Sequence, residues 1–279
     1  MAVDARAELG EGPRWDAASG RLLWVDIEGR LLHVSDPETG ADRTIALDNR
    51  VGVGVPMSDG RVLVALADRL AALDLEDESV ETLAPMPHGP QLRLNDGACD
   101  PQGRFWVGSL ELEFAKRAGS LYRYDGKLVE VLTDVTLSNG IGWSPDGKLM
   151  YYVDTVTYGV DVFDFDGLPV NRRRFATIER GVGAPDGLTV DDEGGVWVAL
   201  YGGSAVRRYA TDGKLEEVVE LPARNVTSCC FGGGERRRLF ITTAAPDGRV
   251  YATDVAITAP PAQPFHSTAP SDAEPTSRR

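Results

Sequence analysis

The sequence predicts an all-β fold, a six-bladed β-propeller with four-stranded blades around a central channel. Glycine (31) and proline (17) punctuate short runs rich in Val, Leu, Tyr and Trp. That is the pattern of many brief strands, and no segment sustains the i, i+3, i+4, i+7 apolar stripe of a helix. A turn followed by an apolar strand recurs six times, as "SGRLLWVDI", "DGRVLVAL", "QGRFWVGSL", "DGKLMYYVDT", "EGGVWVALY" and "ERRRLFITTA". The turn glycines Gly20, Gly60, Gly103, Gly147 and Gly194 are separated by 40, 43, 44 and 47 residues, and Glu235 to Arg237 stand near the equivalent place in the sixth copy.

A second strand signal follows each first one: "GRLLHVSD", "RLAALDLED", "GSLYRYDG", "YGVDVFDFDG", "SAVRRYATDG" and "GRVYATDV". Each unit therefore holds material for about four strands, and one such sheet cannot bury both faces unless neighbours stack on it. A β-helix needs shorter coils, and a sandwich has no reason to repeat six times. Residues 2 to 10 precede the first inner strand and are placed to supply an outer strand to the sixth blade. Residues 1–265 are expected to form one propeller domain. The tail 266–279, poor in large apolar groups and rich in Pro, Ser and Thr, is expected to be disordered.

Lys plus Arg total 29 against 43 Asp plus Glu, a net charge of −14. This repels nucleic acid and anionic lipid, so neither is expected as a partner. The basic runs Arg172 to Arg174 and Arg236 to Arg238 read as solvated loops. Three cysteines, Cys99, Cys229 and Cys230, form neither a disulfide framework nor a zinc-type pattern, which suits a reducing compartment. The first residues carry no apolar leader, and no apolar run approaches the roughly 20 residues of a membrane span. A cytoplasmic location is expected, with oligomeric state left open.

Aligned on the turn glycines, a set of polar residues falls into register. Asn139, Asp186 and Asn95 each stand eight residues before their glycine, and Glu11 nine before; the second copy has Gly52 there and the sixth Thr227. Any one Asn-Gly or Asp-Gly pair is ordinary turn chemistry. Equivalent positions of successive blades, however, converge on the axis of a closed ring. Oxygen-bearing side chains meeting there repel one another unless a cation organises them. Glu11, Asn139 and Asp186 offer two charges and a neutral carbonyl, a hard set that suits one divalent metal ion. Ca²⁺ is favoured, with Mg²⁺, Mn²⁺, Zn²⁺ and Fe²⁺ open. Arg93 and Asp96 gain interest from their place beside Asn95. His33, His88 and His266 read as core or surface residues. The "VFDFDGLPV" stretch fails as an EF-hand loop, because Arg173 stands where Glu is required. No G-x-S-x-G, Walker or H-E-x-x-H motif occurs.

The motifs "GEGPRWD", "RLNDGACDPQGRFWVGSL", "LSNGIGWSPDGKLMYYVDT", "PDGLTVDDEGGVWVALYGG" and "VTSCCFGGGERRRLFITTA" together resemble the senescence-marker-protein/gluconolactonase/luciferin-regenerating (regucalcin-like) family of sugar lactonases, over roughly residues 7 to 257. The resemblance implies a six-bladed propeller with one catalytic divalent metal in its channel. It implies Glu11, Asn139 and Asp186 as metal ligands and Arg93 and Asn95 as substrate contacts. A substrate-binding glutamate from the next loop matches Glu113 best, with Glu111 competing. Cys230 departs from the small residue usual there, which bears on packing.

The expected activity is hydrolysis of a sugar lactone (an aldonolactone such as glucono-, xylono- or arabinono-lactone) by a metal-activated water, with Asp186 taking its proton. The competing readings are an arylesterase or phosphotriesterase at the same metal and a non-catalytic calcium-binding regulatory propeller. Choice among lactones is expected to lie in variable loops such as residues 110 to 119.

Overall fold

The computed structural model describes residues 1–266, so the tail expected to be disordered lies, after His266, outside the described residues. Every repeat forms an antiparallel sheet in chain order. Blade 1 is β1 (Gly10–Asp16), β2 (Arg21–Asp26), β3 (Leu31–Asp36) and β4 (Ala41–Ala46). Blade 2 is β5 (Val51–Pro56), β6 (Val62–Leu66), β7 (Arg69–Leu73) and β8 (Val80–Pro85), and blade 3 is β9 (Leu92–Cys99), β10 (Phe105–Glu111), β11 (Gly119–Tyr124) and β12 (Leu128–Val135). Blade 4 comprises β13 (Ser138–Trp143), β14 (Leu149–Asp154), β15 (Gly159–Phe165) and β16 (Pro169–Thr177), with a single 3-10 turn at Thr155–Thr157. Blade 5 is β17 (Ala184–Val190), β18 (Val196–Tyr201), β19 (Ala205–Tyr209) and β20 (Leu215–Glu220). Blade 6 pairs β21 (Val226–Gly232), β22 (Arg238–Thr243) and β23 (Val250–Asp254). The five turn glycines all link the first strand of a blade to its second, and all have positive φ, from 66° at Gly20 to 91° at Gly60.

The first strand of each blade is the innermost. Each of these packs against the next around the ring, and β21 packs against β1. The N-terminal segment completes blade 6 as the sequence predicts: Val3 bridges antiparallel to Val250, outside β23, and Leu9 bridges to Ala244. The six-bladed propeller is thus closed by the chain's own beginning.

Why blades stack follows from their side chains. Middle strands such as β18, "VWVALY", are buried along nearly their whole length, so both faces need a cover. Six apolar clusters supply it, one at each blade-to-blade interface, for example Leu23, Val25, Leu32, Val62, Val64 and Leu73 between blades 1 and 2. Cys230 packs with Trp24 and Phe240 between blades 6 and 1, a packing role as expected. His33 is likewise a core residue, stacked on Trp24 at 3.7 Å with Nδ1 2.7 Å from Asp42 Oδ2.

Arg172 to Arg174 differ from the expected solvated loop. They lie on the outermost strand β16, where Arg172 and Arg174 pair with Asp161 and Arg173 with Asp164 across β15. An exposed edge strand carrying charge resists pairing with another chain. Among the described residues no helix is long and apolar enough to cross a membrane.

Candidate functional site

All six innermost strands break register near the same end. The interruptions fall between Glu11 and Arg14, Val51 and Val53, Ser138 and Ile141, Pro185 and Leu188, and Val226 and Ser228, while in β9 Asn95 and Asp96 are unpaired opposite Gly108. A bulge re-aims side chains that a regular pleat would alternate, so each blade offers one or two residues at its bulge. They include the positions the glycine register singles out, Gly52, Asn95, Asn139, Asp186 and Thr227, while Glu11 is the last paired residue before the blade 1 bulge at Gly12 and Pro13.

The glycines that follow have a packing reason. A Cβ on Gly140 would stand 2.5 Å from Leu188 N and 2.8 Å from Asp186 O, so only glycine lets β13 and β17 approach this closely. Gly52 faces the Asn95 carbonyl in the same way, at 2.4 Å.

Two aspartates at the ends of second strands hold the approaches to the site. Asp26 accepts the N–H groups of Glu8 and Leu9 just before β1. Asp154 accepts those of Thr136 and Leu137 just before β13. Neither was singled out in the sequence, although both end the repeated apolar strand, in "WVDI" and "YYVDT".

Glu11, Asn139, Asp186, Arg93, Asn95 and Asp96 are all more than nine-tenths buried. Asn95 Nδ2 donates to Asn139 Oδ1 and to the Ser138 carbonyl, both at 2.7 Å. Arg93 donates to Asn95 Oδ1 at 2.6 Å and to the Leu94 carbonyl at 3.1 Å. Asn139 Nδ2 donates to Thr155 Oγ1 at 2.8 Å. Glu11 Oε2 accepts the Gly12 N–H at 2.9 Å, whereas the Asp186 side chain has neither a hydrogen bond nor an ion pair among the described residues.

Glu11 and Asp186 lie within electrostatic reach of each other and oppose each other's ionisation. Burial, then the charge of Asp96, pushes Glu11 up to about 8 against the weaker pull of Arg93 and Arg14. Asp186 is raised well above the ordinary aspartate value by burial, then by Glu11 and Asp96. Burial draws Arg93 down to about 10, while Glu28, Glu11 and Asp186 support its charge and Arg50 opposes it. Two under-partnered buried carboxylates, with the Asn139 amide oxygen on β13, which packs against β17, offer the hard donor types that suit a divalent cation. No group of three His, Cys, Asp or Glu gathers among the described residues, so such a cation would depend on the neutral oxygen of Asn139.

The loop after β10 separates the two competing glutamates. Glu111 Oε2 accepts the N–H groups of Glu113 and Ala115, at 2.8 and 3.0 Å, and so is spent on shaping its own loop. The exposed Glu113 carboxylate has no such bond among the described residues. Arg14 and Thr155 were missed by the sequence reading, since their importance depends on partners that only the closed ring supplies.

The molecule is a closed six-bladed propeller whose innermost strands carry buried carboxylates, amides and an arginine near one end. The family description "SMP-30/Gluconolactonase/LRE-like region" matches residues 9–245, and this chain belongs to that family. It is 39% identical over 251 residues to "Putative sugar lactone lactonase YvrE" of Bacillus subtilis (strain 168), covering 88% of this chain and 86% of that protein. It is 36% identical over 254 residues to regucalcin of Xenopus laevis, covering 87% and 85%. The crystal structure of a calcium-binding protein, regucalcin, from Agrobacterium tumefaciens str. C58 superposes with a TM-score of 0.91 at 29% identity, covering 95% of this chain and 96% of that one.

Proposed function

We propose that this chain is a metal-dependent hydrolase that opens sugar lactones to aldonic acids, with residues 1–265 acting as one domain in the cytoplasm. The observation that carries the reading is the pairing of Glu11 with Asp186. Both are buried and held above their ordinary ionisation range, and Arg93, which hydrogen-bonds Asn95, lies within electrostatic reach of both. Glu11, Asn139 and Asp186 would hold the cation, and the all-oxygen set favours Ca²⁺. Kinship with a protein named as a sugar lactone lactonase and with regucalcins supports the substrate class.

A lactone is an ester tied into a ring, so its hydrolysis needs a polarised carbonyl and an activated water. A divalent cation bound here supplies Lewis acidity to both. Asp186 accepts the proton of the attacking water through its carboxylate and returns it to the leaving ring oxygen. Arg93 donates to sugar hydroxyls and orients the ring, while Asn95, whose Nδ2 hydrogens are spent on Ser138 and Asn139, accepts from a hydroxyl through the second lone pair of Oδ1. Glu113 accepts from a hydroxyl on the rim, and its loop contributes to the choice among aldonolactones.

A pH-stat panel of aldonolactones, aryl esters and a phosphotriester, run with each divalent cation, tests the reading. Acid release from one or more aldonolactones at rates well above those of the esters is expected. Preference for aryl esters, or cation binding without turnover of any substrate, would overturn it in favour of the esterase or the regulatory alternative.

A further inference from the structure

Arg14 stands on innermost β1, three residues after Glu11, and is buried like the ligands above it. Its Nη2 donates to Asp96 Oδ1 at 2.9 Å and to the Gly97 carbonyl at 2.6 Å, and its Nη1 to the Pro13 carbonyl at 2.7 Å. The pair is only partly satisfied, because Arg14 Nε and Asp96 Oδ2 are buried with no partner among the described residues. Such a pair is poor value as a source of stability, since well-packed apolar residues often serve as well. Another reason for it should be sought in the channel.

That reason is the charge count. Asp96 lies within electrostatic reach of both Glu11 and Asp186 and pushes both upward. The three carboxylates come from the innermost strands of blades 1, 3 and 5, and with Asp96 held by Arg14 they do not gather into a three-acid cluster among the described residues. Left unpaired, Asp96 would add a third charge to a chamber that already holds two, and charge count is a main determinant of Ca²⁺ affinity. Arg14 also lines the cavity of about 190 Å³ at the opposite mouth, which innermost strands of every blade and residues 259–263 enclose. It therefore lies between the two ends of the channel.

We infer that Arg14 is a positioning residue that holds Asp96 out of the ligand set, so that the chamber seats one cation on Glu11, Asn139 and Asp186. The inference rests on the ligand set proposed above. Calorimetric Ca²⁺ titration of metal-stripped protein tests it, comparing wild type, Arg14→Gln, Arg14→Met, Asp96→Asn and the double variant R14Q/D96N, with circular dichroism to verify folding. Removing the arginine charge is expected to tighten Ca²⁺ binding at least tenfold or to add a second ion, and Asp96→Asn in the same chain is expected to restore one ion at the wild-type affinity. Titrations of folded Arg14→Gln or Arg14→Met that match wild type would overturn the inference, as would a gain that Asp96→Asn does not reverse. If wild type bound no cation while Arg14→Gln did, the ligand set would fall and the role of Arg14 would stand.

Discussion

Asn95 Nδ2 donates to Asn139 Oδ1 at 2.7 Å, joining blade 3 to the candidate ligand on blade 4. Because Asn139 Nδ2 is engaged by Thr155 Oγ1, the amide cannot flip, and its oxygen stays on the side of Asn95. Thr155 is itself anchored on the Pro185 carbonyl at 2.8 Å, one residue from Asp186.

Thr155→Val removes this support without touching a ligand. Outer partners of metal ligands are worth about 10- to 100-fold in affinity, so Ca²⁺ affinity measured by calorimetry should fall by about that factor. The melting temperature should change little. Unchanged affinity would mean that the amide needs no second holder.

Glu11 carries a pH signature of unusual sign for a carboxylate. Its native pKa is raised from 4.5 to about 8, so between those values the native state keeps a proton that the unfolded chain has lost. Stability of metal-free protein should therefore fall as pH rises through that window, and the raised Asp186 acts in the same direction. Carboxylates held low on the surface, such as Asp59 beside Arg61, lose their contribution only as pH falls below about 4. Thermal melts in chelator from pH 5.5 to 8.5 should show the fall, and Glu11→Gln should flatten it. Cation binding should release protons across the same range.

Deleting residues 1–8 takes the Val3 bridge from Val250 and removes buried Val3 and Ala7. Fully burying a valine is worth about 1.5–3 kcal/mol, and each kcal/mol moves the melting point of a chain this size by about 2–4 °C. A drop of about 5 °C or more is expected by calorimetry. An unaltered melt would show that the ring does not rely on this closure.

Glu113 and Glu111 should part company in steady-state kinetics. Glu113→Gln removes a hydroxyl acceptor at the rim and should raise KM for an aldonolactone several-fold with kcat nearly kept. Glu111→Gln weakens the acceptor for two loop N–H groups, and should act through loop order, visible as faster amide exchange at residues 113–115.

The architecture was legible because a propeller repeats its turn chemistry. Glycines with positive φ mark each first turn, and counting back from them reaches Glu11, Asn95, Asn139 and Asp186. What stayed hidden depends on contacts between blades. Arg14 meets Asp96 across 82 residues, and "GPRW" alone does not distinguish a channel arginine from a solvated one. Thr155 sits after a strand whose end looks ordinary in sequence. Asp26 and Asp154 were within reach of the repeat, since both close the same apolar strand, but their role appears only once the next inner strand is seen leaning on them. The run Arg172 to Arg174 was misplaced because its carboxylate partners lie across a strand pair.

The most direct measurement is the lactone hydrolysis rate of metal-stripped protein, before and after restoring a single divalent cation, in wild type and in Asp186→Ala. Stripped wild type should be inactive and regain turnover at one ion per chain, while Asp186→Ala, folded and equally stable, should stay at least about 10²–10³-fold slower. Full turnover by the stripped protein, or by Asp186→Ala, would contradict a cation seated on Glu11, Asn139 and Asp186 as the source of the activity.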